Sequence, residues 1–253
     1  MRVISLVVEG LEQARDAGLF KWLTEQDADI ICLQDTQCSE YSLNNEEFFP
    51  SQYNAYFLDH YDDHRKNGVV IYCRELPKAI MSGLGFIEFD SQGLYIQADY
   101  RQLSVGSLLM PSGLGSDEAL NTKLKFMQAL GDHLQKIRAK RRDFIICGGW
   151  ELTSTPTDIE DAVGSVGIPG CSTIEQVWLQ TLYKNGYCDA FRAYTNDPDE
   201  FTWWPGGDEA GSLRTDTHVV SSSLGGRVDY AAIYTEEIFS SHAPIIIDYD
   251  IGG

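Results

Sequence analysis

The sequence predicts an α/β fold of four layers, an α/β/β/α sandwich of two facing mixed β-sheets flanked by helices. Three observations carry this reading. Short apolar runs alternate with amphipathic stretches along the whole chain, the pattern of strands and helices that cover one another. One strand pattern occurs twice, as Asp29-Ile30-Ile31-Cys32-Leu33-Gln34-Asp35 and as Asp143-Phe144-Ile145-Ile146-Cys147-Gly148-Gly149-Trp150. Two similar halves facing each other would use it once each. Gly and Pro are scattered and no linker-like tract divides the chain, so residues 1–253 are expected to form a single domain.

Taken in order, residues 3–8 read as a strand and residues 11–26 as a helix, with Leu19, Phe20, Trp22 and Leu23 on one face. Residues 29–34 form a buried strand that ends on Asp35. Residues 68–72, 94–100 and 103–109 are further strands. Residues 121–138 make a helix, because Leu124, Met127, Leu130, Leu134 and Ile137 recur at helical spacing. Residues 143–147 are a second buried strand, and residues 174–185 a helix closed by Gly186. Residues 227–234 and 245–249 are the last strands.

The bulk properties exclude several classes. No apolar run approaches the ~18 residues of a membrane span, and the start lacks the pattern of a secretory signal. The expected location is the cytoplasm. Cys32, Cys38, Cys73, Cys147, Cys171 and Cys188 follow no paired metal-ligand spacing. They read as small thiols in a reducing compartment. The formal net charge of −19 weighs against a protein that grips nucleic acid alone, because phosphate neutralisation supplies most non-specific affinity. It leaves room for a local basic face.

Such a face is present. Lys136, Arg138, Lys140, Arg141 and Arg142 fall within seven residues, in a chain with 19 Lys and Arg. The plain reading is a solvated helix end favoured by the helix dipole. The functional reading is a docking face for RNA phosphates or an acidic partner.

Other side chains have the chemistry of a hydrolytic centre. Asp35 at a strand end is a metal ligand or a turn carboxylate. Asp229, inside Arg227-Val228-Asp229-Tyr230, is a ligand or the ion-pair partner of Arg227. His242 is a base, a phosphate donor or a structural hydrogen-bonding group. Glu9 and Glu151 are further carboxylates. In Phe201-Thr202-Trp203-Trp204-Pro205, one indole is expected to pack in the core and the other is a candidate to stack on a base.

These residues carry a resemblance. The chain resembles the exonuclease III-like members of the endonuclease/exonuclease/phosphatase superfamily over nearly its full length. The matches are Glu9-Gly10-Leu11, Ile31-Cys32-Leu33-Gln34-Asp35-Thr36, Ser154-Thr155-Pro156-Thr157-Asp158, Phe201-Thr202-Trp203, Arg227-Val228-Asp229 and His242-Ala243-Pro244, in the family order. The resemblance implies a DNase I-like fold and departs at the catalytic set. The family's first-strand Asn falls on Val7 and its metal-binding Glu on Asp35. Its Tyr falls on Leu109, its Asp-x-Asn pair on Gly149 and Glu151, and the Asp of its Asp-His pair on Ser241. Asp229 and His242 alone match outright.

Within the superfamily the chain is most similar to the catabolite repression control (Crc) proteins of pseudomonads and their relatives. The similar stretches include Gly18-Leu19-Phe20-Lys21-Trp22-Leu23, Leu109-Met110-Pro111-Ser112-Gly113 and Lys140-Arg141-Arg142. That branch is non-enzymatic. The resemblance implies a translational repressor that joins the RNA chaperone Hfq on A-rich mRNA leaders, with weak or no RNA binding of its own. No catalytic residues, metal or other cofactor are then expected, and Asp35, Asp229 and His242 are vestigial. The alternative is a divergent Mg²⁺- or Mn²⁺-dependent phosphodiesterase using Asp35, Glu151, Asp229 and His242. The sequence leaves the oligomeric state open, a homodimer included.

Overall fold

The computed structural model describes residues 1–160, 170–205 and 211–251. Two six-stranded sheets face each other. The first contains β1 (Arg2–Val7), β2 (Ile30–Gln34), β3 (Asn54–Leu58), β4 (Val69–Cys73), β11 (Val228–Ile233) and β12 (Ile245–Tyr249), in the order β11-β12-β1-β2-β4-β3. The second contains β5 (Ala79–Ser82), β6 (Tyr95–Asp99), β7 (Leu103–Leu109), β8 (Asp143–Gly149), β9 (Tyr187–Asp189) and β10 (Asp216–Ser221), in the order β5-β6-β7-β8-β10-β9. Each sheet has one parallel pair at its centre, β1 with β2 and β7 with β8, and antiparallel neighbours outside it. Strands β2 and β8 hold equivalent places, so the repeated sequence pattern is the same strand used once in each half.

Alternation along the strands divides the core. On β1, Val3 packs between the sheets, whereas Ile4 and Leu6 face outward to α1 (Leu11–Asp16) and α2 (Leu19–Glu25). One helix was expected over residues 11–26. The chain forms two, because Gly18 adopts φ +96° and caps the second, a conformation that costs other residues dearly. The second sheet carries the short α3 (Ile87–Asp90), α4 (Asp117–Arg138) and α5 (Thr173–Lys184). Ser116 caps α4 by accepting from the Ala119 N–H, with Asp117 and Glu118 in the first turn and Lys136 and Arg138 in the last. Among the described residues no helix is long and apolar enough to cross a membrane.

Polar groups tie the layers together. Between the sheets, Ser5 Oγ lies 3.0 Å from His218 Nε2, and His218 Nδ1 lies 3.0 Å from the Tyr249 hydroxyl. Burial drives His218 down to about 3, so it stays neutral. A second buried network joins Asp158, Asp189 and Arg214, with Arg192 at its edge. A third joins α4 to α5: Lys123 Nζ sits 2.5 Å from Glu175 Oε1 and donates to the Glu151 carbonyl at 2.7 Å.

The parallel pairs set the polarity of the molecule. Val7, Gln34, Leu109 and Gly149 all stand at C-terminal strand ends on one rim. Asp216 begins β10 opposite Gly149. The expected basic face enters β8 at its other end, and six strand steps of ~3.3 Å separate the two poles by about 20 Å.

Breaking the Lys123–Glu175 pair tests this framework. Lys123→Ala is expected to cost about 3–5 kcal/mol in urea denaturation, because Glu175 is left charged and buried. A Lys123→Met, Glu175→Leu double substitution should recover much of that loss.

Candidate functional site

The rim that collects the strand ends is the candidate site. Its best-defined element is an Asp–His pair: His242 Nδ1 lies 2.7 Å from Asp216 Oδ2. Thr202 Oγ1 accepts from the Asp216 backbone N–H at 3.2 Å and fixes the start of β10. Trp203 stacks on the imidazole, with ring centroids 5.6 Å apart and planes 16° off parallel. Burial alone would lower the pKa of His242, but the Asp216 carboxylate outweighs it and raises the value.

Three carboxylates surround this pair. Glu9, Asp35 and Glu151 follow the ends of β1, β2 and β8 with φ of 50°, 56° and 53°. Left-handed backbone in three non-glycine residues at one rim is the strain expected at a former or present functional site. Glu9 is exposed and accepts from the Ser241 N–H at 2.9 Å. Asp35 is half-buried and accepts from Gln37 Nε2 at 2.9 Å. Burial raises the pKa of Asp35 and Glu9 adds to the rise, with Gln37 and His242 opposing. Glu151 is buried, and burial pushes its carboxyl up to about 7. Asp216 and Asp35 push in the same direction, and His242 and Lys123 oppose.

The wall between these groups is hydrocarbon. A Cβ placed on Gly149 would lie 3.0 Å from Val7 Cγ2, 3.5 Å from Leu109 Cδ1 and 3.6 Å from Asp216 Oδ1. Val7, Leu109 and Gly149 therefore converge in space, as the sequence resemblance implies. They leave Asp216 Oδ1 buried without a hydrogen-bond partner among the described residues. A divalent ion needs several oxygens converging at about 2.0–2.6 Å. Among the described residues no three His, Cys, Asp or Glu side chains are placed to hold one.

Two sequence expectations change. Asp229 is not part of this site. It is exposed on β11, the edge strand of the first sheet, at a bulge between Val228 and Tyr230. The carboxylate beside His242 is Asp216, in Arg214-Thr215-Asp216. Both segments read Arg-x-Asp before an apolar run, and only the pairing of Asp216 with Gly149 across β10 and β8 separates them. The one signal in the sequence is the short apolar pair Val219-Val220 that follows His218.

The basic cluster also divides. Arg142 is half-buried, pairs with Asp99 at 3.0 Å, and donates to Ser104 Oγ and the Tyr100 carbonyl. Lys136, Arg138, Lys140 and Arg141 are exposed and form no ion pair among the described residues. Of the expected aromatic pair, Trp203 and Trp204 are both half-buried, so neither is the core indole, and Trp203 stacks on His242.

A pH prediction follows from Glu151. Its folded pKa is raised from 4.5 to about 7, so the folded state binds the proton more tightly than the unfolded chain. Stability is highest while the group is protonated and falls as pH rises from 4.5 to about 7, by on the order of 3 kcal/mol. Glu151→Gln should raise the thermal midpoint above pH 7 in chelator and leave it nearly unchanged near pH 4.5. An equal effect at both ends would contradict the assignment.

Comparison with known proteins agrees with this fold. The endonuclease/exonuclease/phosphatase family model covers residues 8–245. An exodeoxyribonuclease of Bacillus subtilis (strain 168) is 25% identical over 251 residues, covering 97% of this chain and 98% of the relative. Exodeoxyribonuclease III of Haemophilus influenzae is 28% identical over 276 residues, covering 98% and 100%. An AP endonuclease structure from Archaeoglobus fulgidus shares the fold with a TM-score of 0.87 at 20% identity, covering 99% of this chain and all of that one. With the facing sheets and the matched span in agreement, the chain belongs to the endonuclease/exonuclease/phosphatase family.

Proposed function

We propose that this chain is a catalytically silent nuclease-fold adaptor, a translational repressor in carbon catabolite repression. In this reading it co-assembles in the cytoplasm with the RNA chaperone Hfq on A-rich mRNA leaders. One observation carries the silent part: Val7, Leu109 and Gly149 put hydrocarbon around Asp216 Oδ1, where a phosphodiesterase needs ligands and proton-transfer groups. Losing one such group lowers rate by roughly 10²–10⁴, and here several positions are altered together.

Charge supports the adaptor part. The rim is rich in carboxylates and repels phosphates, whereas Lys136, Arg138, Lys140 and Arg141 lie exposed about 20 Å away along β8. A net charge of −19 makes autonomous grip on RNA weak and a partner necessary. The RNA and partner residues of this reading are those four cations. Arg142 holds Asp99 and positions the segment.

A second reading is a divergent Mg²⁺- or Mn²⁺-dependent phosphodiesterase. The intact Asp216–His242 pair favours it, as do the similar proteins that are named as nucleases.

The test is a gel-shift titration on an A-rich RNA with and without Hfq. The adaptor reading expects a supershift when Hfq is present and little binding without it. Lys140→Glu with Arg141→Glu should remove the supershift and lower its salt dependence. Tight binding by the chain alone, or a supershift untouched by charge reversal, would contradict it.

A further inference from the structure

The rim holds four carboxylates, Glu9, Asp35, Glu151 and Asp216, against one imidazole that Asp216 already holds. Glu9, Asp35 and Glu151 form no ion pair with Lys, Arg or His among the described residues. The one lysine within reach, Lys123, is bound to the Glu175 carboxylate and to the backbone carbonyl of Glu151. Uncompensated carboxylates at a partly buried rim are costly.

A separate observation points to a ligand. Asp216 is 4% exposed, and its Oδ1 has no donor. That oxygen faces the Gly149 position between Val7 and Leu109. A buried acceptor left unmade costs more than a made bond returns.

The chemistry narrows the ligand. A phosphate would meet four carboxylates. A divalent ion held by protein ligands alone needs a tight convergence that no three His, Cys, Asp or Glu side chains provide among the described residues. A guanidinium group bonds carboxylates at a looser ~2.7–2.9 Å, presents five donors in a plane, and is weakly hydrated. It therefore tolerates the hydrocarbon of Val7 and Leu109 and the half-buried Trp203 indole at the edge. An ammonium is a strongly hydrated point charge and fits an apolar wall less well.

We propose that the acidic rim binds a guanidinium group, supplied by an arginine side chain of a partner polypeptide, through Asp216 Oδ1 together with Glu9, Asp35 and Glu151. The inference rests on the reading that this cleft does not turn over phosphodiesters. It turns the family's catalytic cleft into a socket for a cation.

Calorimetric titration of the full chain in chelator, at mildly alkaline pH, tests it with three probes: a blocked Gly-Arg-Gly tripeptide, the matching Gly-Lys-Gly, and agmatine. The arginine tripeptide should bind saturably at millimolar concentration or below, and more tightly than the lysine one. Glu9→Gln with Asp35→Asn should weaken it by about tenfold or more. Glu9 is exposed and Asp35 half-buried, so the variant is expected to fold, and its far-UV circular dichroism checks this. No saturable binding, equal binding of the lysine tripeptide, or indifference to the variant would overturn the proposal. Agmatine binding with the tripeptide excluded would overturn the polypeptide source. Nucleolytic activity would remove the adaptor reading and would not alter the titration, so the two failures are separable.

Discussion

The parallel pairing at the centre of each sheet is the constraint on which the rest depends. Because β1 runs parallel to β2 and β7 to β8, with the two sheets facing, four C-terminal strand ends meet on one rim. A parallel ladder fixes its register by hydrogen bonds along its whole length. The rim is therefore rigid, and whatever residues stand at the ends define the chemistry available there. In this chain those residues are Val7, Gln34, Leu109 and Gly149, and Glu9, Asp35 and Glu151 follow the first, second and fourth of them by one or two positions. The scaffold is that of the endonuclease/exonuclease/phosphatase family, and these residues set what its rim holds.

The residues at the rim leave an electrostatic imbalance. Burial and mutual repulsion hold Glu151 near 7, and the same forces raise Asp35. His242 is drawn to its charged form by Asp216. In a nuclease, a metal and a phosphate would share this field. Here the atoms that Val7 and Leu109 place beside Gly149 are hydrocarbon, which leaves the carboxylates without charged partners on that side. The cationic pole lies at the opposite end of β8, so a polyanion and a cation would approach this protein from different sides.

Much of this was legible in the sequence. The central strands and α4 announce themselves by apolar runs and by helical spacing at Leu124, Met127, Leu130, Leu134 and Ile137. The duplicated strand pattern gave the two halves, and the family order of motifs placed Val7, Leu109 and Gly149 at one site before any geometry. Strand β10 was missed because it opens on Asp216, Thr217 and His218, polar residues that become buried only by pairing between β8 and β9. That omission transferred the role of Asp216 to Asp229, since two Arg-x-Asp segments are equivalent until their register is known. The division of the basic cluster was hidden for a related reason: Arg142 is distinguished from Arg141 only by the partners that the β6–β7 turn brings to it.

We propose that the rim does not support phosphodiester hydrolysis. The most direct measurement is single-turnover cleavage of end-labelled duplex DNA and A-rich RNA by purified protein in Mg²⁺ and in Mn²⁺, beside an Asp216→Asn variant. The account predicts product no faster than with metal alone and no difference between the two proteins. Cleavage that requires the metal and disappears in Asp216→Asn would show that the Asp216–His242 pair still serves a working catalytic centre.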